Sequence, residues 1–259
     1  MDKSVYIWAS DPHGTGQLWI NLVEKAKQKY PHARLVFGGD YIDGGKYSRE
    51  TLNYVMDQVD GNNAVALKGN HEDLLEKFVD YGIQTWLING AQSTIRSLYH
   101  RTFSVEKERK LLKSSRYYTW FKQLPLQFET SNIMFVHAGV KPDGSFTDYD
   151  YKLWAREEYW WRNKTANDKT FAHNLTGLTI VTGHTPICFI HGLFDPQPSD
   201  MPPQIEEDMK NYECPVIRVQ YDNEPARYFT DNGCHGGMDG HNGNVCVFDN
   251  AGNLIDIFN

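Results

Sequence analysis

The chain has 259 residues, 40% apolar and 14% aromatic, with seven Trp, fifteen Tyr and thirteen Phe, a composition that argues against intrinsic disorder and for a sizeable core. Its formal net charge is −7, and no basic stripe is present to release counterions, so long nucleic acid is not an expected partner. No apolar run has the length of a membrane span and none near the start has signal-peptide form, which leads us to expect a soluble, cytoplasmic protein that does not bind membranes.

In chain order, SVYIWAS (4–10) is a short apolar run that stops at DPHG and reads as a buried strand entering a loop. GQLWINLVEKAKQKY (16–30) repeats its apolar residues near a 3.6 period and predicts a helix. ARLVFGG (33–39) is a second strand, SRETLNYVMDQV (48–59) a second helix, NAVALKGN (63–70) a third strand and HEDLLEKFVDYG (71–82) a third helix. Three alternations in eighty residues predict an α/β sheet with helices on its faces.

Residues 83–125 change character: they read as helical, carry the basic run VEKERKLLKSSR (105–116) and hold no clear strand, so a helical insertion or lid is expected there. NIMFVHAGV (132–140) and LTIVTGHTP (178–186) return to strand-then-loop. Residues 192–212 are rich in proline and acid and read as a surface excursion. The tail alternates short strands and turns in PVIRVQYD, ARYFTDNGC and GNVCVFDNAGNLIDIF. The whole, 1–259, reads as one domain. Cys188, Cys214, Cys234 and Cys246 include no C-x-x-C pair, so neither a zinc ribbon nor a redox motif is indicated and reduced thiols are expected.

Each strand-like run from the first to LTIVTGHTP ends in a loop bearing Asp, Asn or His. These are Asp11 and His13, then Asp40 and Asp43, then Asn70 and His71, then His137, then His184. In α/β sheets ligands bind outside the carboxyl ends of strands, so the five loops can share one rim. Singly, a histidine after a strand is more often a hydrogen-bonded structural residue, and Gly-Asp loops are ordinary turns. As an ordered set they are a ligand set for hard or borderline divalent metals, enough for two ions that share one carboxylate.

The ordered motifs D-x-H-G, G-D-x-x-D, G-N-H-E, H-A-G and G-H-T-P resemble those of the calcineurin-like metallophosphoesterases. Within them the chain is similar to the bacterial and phage branch of the phosphoprotein phosphatases, related to the symmetrical diadenosine tetraphosphatases. WLINGAQSTIRSL (86–98), FKQLPLQFE (121–129) and LWAREEYW (153–160) extend the likeness over about residues 5–190, with a weaker match over YFTDNGC (228–234).

The resemblance implies a four-layer α/β/β/α sandwich of two mixed sheets flanked by helices. It also implies two divalent ions, manganese first, with iron, zinc, nickel or magnesium as other fits. Asp11 and His13 would bind the first ion, Asp40 would bridge, and Asn70, His137 and His184 would bind the second. A metal-held hydroxide would attack phosphorus, and His71, oriented by Asp43, would protonate the leaving oxygen. Arg156 would hold phosphate with its planar fork.

The family usually writes G-D-x-x-D-R-G, and position 44 here is Gly rather than that arginine. Lys46 and Arg49 are the nearby substitutes. His191 is a candidate to line the cleft, and His235 and His241 are candidates for a third metal or a substrate-facing loop, although their sequence better suits a flexible turn. Trp154, Tyr159, Trp160 and Trp161 suit core packing, or a base-stacking surface beside Arg156 if part of the group is exposed.

The expected function is metal-dependent hydrolysis of a phosphomonoester, with a serine/threonine or tyrosine phosphoprotein as substrate. Hydrolysis of a dinucleoside polyphosphate is the main alternative. Nucleotide or cyclic phosphodiester cleavage and a non-catalytic metal-binding interaction protein stand behind it.

Overall fold

The computed structural model describes residues 4–61, 63–141, 143, 145, 148–162, 169–190, 192, 216–234 and 243–259. The first half alternates β1 (Val5–Ala9), α1 (Gln17–Lys29), β2 (Arg34–Phe37), α2 (Ser48–Asp60), β3 (Ala64–Ala66) and α3 (Asn70–Tyr81). The third strand is shorter than its apolar run, because Asn70 already opens α3.

Residues 83–125 are helical. After a 3-10 turn at Gln84–Ile88 come α4 (Ala91–Tyr99), α5 (Val105–Lys113) and α6 (Arg116–Phe121). The second half holds β4 (Gln127–Glu129), β5 (Ile133–Val136), α7 (Tyr149–Trp154), α8 (Glu157–Trp160), β6 (Thr179–Thr182), β7 (Ile217–Val219), β8 (Arg227–Phe229), β9 (Val245–Asp249) and β10 (Leu254–Phe258).

Among the described residues these strands form two mixed sheets, ordered β10-β9-β1-β2-β3 and β4-β5-β6-β8-β7. In the first, β1, β2 and β3 are parallel, and β9 and β10 add antiparallel at one edge. In the second, β5, β6 and β8 are parallel, with β4 and β7 antiparallel at the two edges. The strand-rich tail therefore splits. Its first two strands join the second sheet and its last two join the first.

Side-chain alternation makes the layers. Ile7, Leu35, Phe37, Val245 and Val247 point into a core shared with the helices of the first half. Their chain neighbours Tyr6, Trp8, Val36, Cys246 and Phe248 point the other way, onto Ile133, Phe135, Val181 and Tyr228 of the second sheet. Met134, Val136, Ile180 and Phe229 face a third core with Tyr159 and Trp160 of α8. Three cores between four layers give the α/β/β/α sandwich. Trp8 stacks on Phe135 across the sheet interface with ring centroids 5.5 Å apart. Truncating either to Ala would cost about 3–5 kcal/mol.

No described helix is long and apolar enough to cross a membrane. Cys188, Cys234 and Cys246 are free. His191, His235, His241, Cys214 and nearly all of 192–212 lie outside the described residues.

Candidate metal centre

Both parallel trios point their carboxyl ends at one rim, and each of the six strands delivers a side chain there. β1 is followed by Asp11, β2 by Asp40, β3 by Asn70, β5 by His137, β6 by His184 and β8 by Asp231. The loops turn sharply: Asp11, His13, Asp40, Asp43 and His184 have φ of 52°, 43°, 56°, 71° and 67°. Left-handed backbone is uncommon outside glycine and collects where function over-determines geometry.

The two rims interlock. The His184 N–H donates to Asp11 Oδ1 at 2.9 Å, and Gly183 lies so close that a Cβ there would stand 1.9 Å from Asp11 Oδ2. His137 spans the sheets in the other direction, its Nδ1 2.8 Å from the Gly38 carbonyl.

Asp40 is central. Its Oδ2 lies 3.5 Å from His13 Nε2 and its Oδ1 3.5 Å from His137 Nε2. Two trios of potential ligands share it: His13, Asp40 and His71, and Asp40, His137 and His184. A carboxylate with one oxygen toward each group is the geometry for bridging two ions.

Three further observations fit cations here. Asp11 Oδ2 and both ring nitrogens of His184 are buried without a hydrogen-bond partner. With Nδ1 donating to Gly38, the His137 Nε2 presents a lone pair, yet it faces Asn70 Oδ1 at 2.9 Å. Two acceptors in contact are relieved by a shared cation. Finally, Asp11, Asp40, Asp43, Glu72 and Asp231 are all buried at this rim, a density of carboxylates that needs positive charge.

The electrostatics agree. Burial, then Asp231 and Asp40, hold the Asp11 carboxyl well above the usual range. Burial pushes His184 and His137 down, so both are neutral and ready to ligate. Burial would also raise Asp40, but the surrounding imidazoles, His137 first, hold it low.

His71 opens α3 behind this cluster. Its Nδ1 lies 2.8 Å from Asp43 Oδ2 and its Nε2 4.0 Å from Asp40 Oδ2. Burial opposes its charge, but Asp40 and then Asp43 outweigh it and bring its pKa up to about 9. Asp43 is itself fixed, accepting from Trp86 Nε1 at 2.8 Å and from Thr94 Oγ1 at 2.6 Å.

The model of the calcineurin-like phosphoesterases matches residues 6–209. The chain belongs to that family. Its members typically use a dinuclear divalent metal centre, and this chain is a metal-dependent phosphoester hydrolase with candidate His and Asp ligands for such a centre. No curated protein sequence matches the chain.

Solved structures share the fold at low identity. A cold-active protein tyrosine phosphatase from a psychrophilic Shewanella is 15% identical over all of this chain and 83% of its own, with a TM-score of 0.57. A metallophosphoesterase from Sphaerobacter thermophilus is 13% identical over 98% of this chain and 89% of its own, TM-score 0.52. A protein serine/threonine phosphatase from Saccharomyces cerevisiae is 16% identical over 99% and 80%, TM-score 0.50.

The remaining site candidates divide. Arg156, the residue before α8, is exposed, with Nη1 2.8 Å from Thr185 Oγ1 in the loop that carries His184. Trp154 reaches the rim, its ring 6.4 Å from that of His184 and its Nε1 3.4 Å from Asp73 Oδ2. Tyr159, Trp160 and Trp161 are buried in the core behind the second sheet. Lys46 and Arg49 line a cleft beside the centre, together with Gly44, and none of the six metal-ligand candidates lines it. Residue 44 has φ 79°, where glycine is favoured and an arginine would be strained.

Two buried acids lie outside the set read from the sequence. Glu72 accepts from the backbone N–H of Asp40, Gly69 and Tyr41, each at 2.9 Å, and so clamps the β2 loop to the start of α3. Burial, then the charge of Asp40, raises it to about 8. Asp231 is raised to about 7, chiefly by burial, and its Oδ1 accepts from Gly233 N at 2.8 Å. The signal for Asp231 was its place after a strand, the same rule that found the others. Glu72 stood inside G-N-H-E but has no strand-end position.

Proposed function

We propose that this phosphoesterase is a cytoplasmic phosphomonoesterase acting on phosphoserine and phosphothreonine in proteins, and on phosphotyrosine as well, with manganese at its centre. The His71–Asp43 pair carries this reading. A serine alkoxide is a poor leaving group and needs a proton as it departs, whereas a nucleoside diphosphate leaves without one. An imidazole buried on a carboxylate is a device for the first case. Two of the structural neighbours are described as protein phosphatases, one for tyrosine and one for serine/threonine.

Asp11, His13 and Asp40 would hold one ion, and Asp40, Asn70, His137 and His184 the other. When bound, the ions supply activated water and neutralise charge on the phosphoryl oxygens. The chain's own groups do the rest. Arg156, steadied by Thr185, offers two N–H donors to phosphoryl oxygens and stabilises the charge that grows on them. Asp43 accepts the Nδ1 proton of His71, which leaves the Nε2 proton for the departing oxygen. Glu72 holds the backbone under Asp40 in place.

Trp154, at the rim beside His184, favours a second reading, a dinucleoside polyphosphate hydrolase that stacks a base there. The test is competition. Manganese-loaded protein is given a phosphoserine peptide and diadenosine tetraphosphate together, and the products are separated by chromatography. The expected products are free phosphate and dephosphorylated peptide. ADP with intact phosphopeptide would select the second reading.

A further inference from the structure

The cleft that holds Lys46 and Arg49 has about 770 Å³ and reverses the sign of the molecule. The chain as a whole carries −7. One wall presents Lys46, Arg49, Glu50 and Asn53, and the other Ser93, Arg96, Ser97 and His100. Arg49, Glu50 and Asn53 lie on one face of α2 and Ser93, Arg96 and Ser97 on one face of α4, while Lys46 precedes α2 and His100 caps the end of α4. The apolar stripes of the same helices, through Leu52 and Val55 and through Ile95 and Leu98, meet in the core below.

The cations here outnumber Glu50, the one carboxylate among the residues lining the cleft. Among the described residues no carboxylate pairs with Lys46, Arg49 or Arg96, whereas Lys27, Lys110 and Lys122 elsewhere on the surface each sit on one. Arg49 is nonetheless held, its Nη1 3.2 Å from His100 Nε2 and its backbone N–H donating to Ser97 Oγ at 2.9 Å. Exposed guanidinium groups in a concave site where cations outnumber carboxylates are a receptor for anions.

The cleft also abuts the centre. Gly44 lines it and follows Asp43 directly, and the next amide, Gly45 N, donates to the His13 carbonyl at 2.7 Å. Thr94, from the α4 side, donates to Asp43. The cleft lining is thus adjacent in the chain to the carboxylate that contacts His71.

We infer that this cleft is an anionic subsite, which takes a carboxylate or second phosphate carried by the phosphopeptide whose phosphate occupies the centre. The inference rests on the protein-phosphatase reading above. The helical part of each wall, Arg49–Asn53 and Ser93–Ser97, rises about 6 Å, the length of about two residues of extended peptide, so the site suits an acidic residue flanking the phosphorylated one. It also recasts the substitution at Gly44. Gly44 lines the cleft without a side chain, and the basic groups around it would bind a neighbouring anion of the substrate.

The experiment uses the manganese-loaded full chain and two phosphoserine peptides that differ only in flanking residues, Asp/Glu in one and Ala in the other. The acidic peptide is expected to have about tenfold higher kcat/KM at low salt, through KM, with the advantage shrinking as salt rises. Arg96→Glu is expected to abolish that ratio. Equal kcat/KM for the two peptides, or a preference that survives Arg96→Glu, would overturn the subsite. If para-nitrophenyl phosphate is hydrolysed but neither peptide is, the protein-phosphatase reading fails instead. The cleft is then decided by inhibition of that aryl phosphate reaction. Competitive inhibition by the acidic peptide that Arg96→Glu removes supports the subsite, and its absence overturns it.

Discussion

His71 follows Asn70 directly and Asp43 stands three residues after Asp40, and in space His71 and Asp43 form one unit, with Nδ1 of His71 2.8 Å from Oδ2 of Asp43 and Nε2 on the Asp40 side. Trp86 and Thr94 hold the other lone pairs of Asp43. The carboxylate is therefore held by two donors from other elements, and it orients the imidazole through Nδ1.

This pair predicts a leaving-group effect. His71→Asn should lower kcat for a phosphoserine peptide by about a hundred- to ten-thousand-fold, and much less for para-nitrophenyl phosphate, whose leaving group needs little help. Asp43→Asn should show the same pattern at about ten- to a hundredfold. Steady-state kinetics on both substrates check it, and equal losses on the two would remove the acid role.

The shared position of Asp40 between His13 and His137 predicts that metal ions stabilise the fold through this residue. At a hundred times the dissociation constant, a bound ion adds about 2.7 kcal/mol, or roughly 5–10 °C in Tm for a domain of this size. Thermal unfolding with and without manganese should show that rise in the native protein and lose most of it in Asp40→Asn. Gly183→Ala should lose it as well, because its Cβ would displace Asp11 Oδ2. A manganese shift that persists undiminished in both variants would place the ions elsewhere.

Much of the site was legible because each candidate ligand follows a strand by one to four residues, and strand ends can be read from apolar runs. The helices of the first half were legible from their period. The short β4 was not, since its three residues, Gln127–Glu129, carry no pattern apart from their partner β5. Nor was the division of the tail between sheets, because alternation marks two faces of a strand and says nothing of which sheet it joins. Lys46 and Arg49 were read as neighbours of the missing arginine. Proximity in sequence could not reveal that the helical period turns them toward α4 and a cleft of their own. Glu72 escaped because its partners are backbone amides, which no residue pattern records.

Buried acids and a buried imidazole at one rim predict the pH response of the metal-free protein. His71 is raised from 6.5 to about 9, so the stability from its charged form is complete below pH 6.5 and is lost as pH rises through about 9. Glu72 and Asp231 are raised to about 8 and about 7, from 4.5 and 3.8. Between the ordinary and raised values the folded state binds more protons than the unfolded one, so these two also lose stability as pH rises. All three lower stability as pH rises, Asp231 up to about pH 7, Glu72 up to about 8 and His71 from about 6.5 to 9. In EDTA, Tm should fall from about pH 6.5 to 9, and Glu72→Gln should flatten the slope near pH 8. Manganese should weaken the dependence, because bound cations replace the protons as the partners of these carboxylates. A Tm in EDTA that stays level or rises from pH 6.5 to 9 would show that the rim does not hold its protons as described.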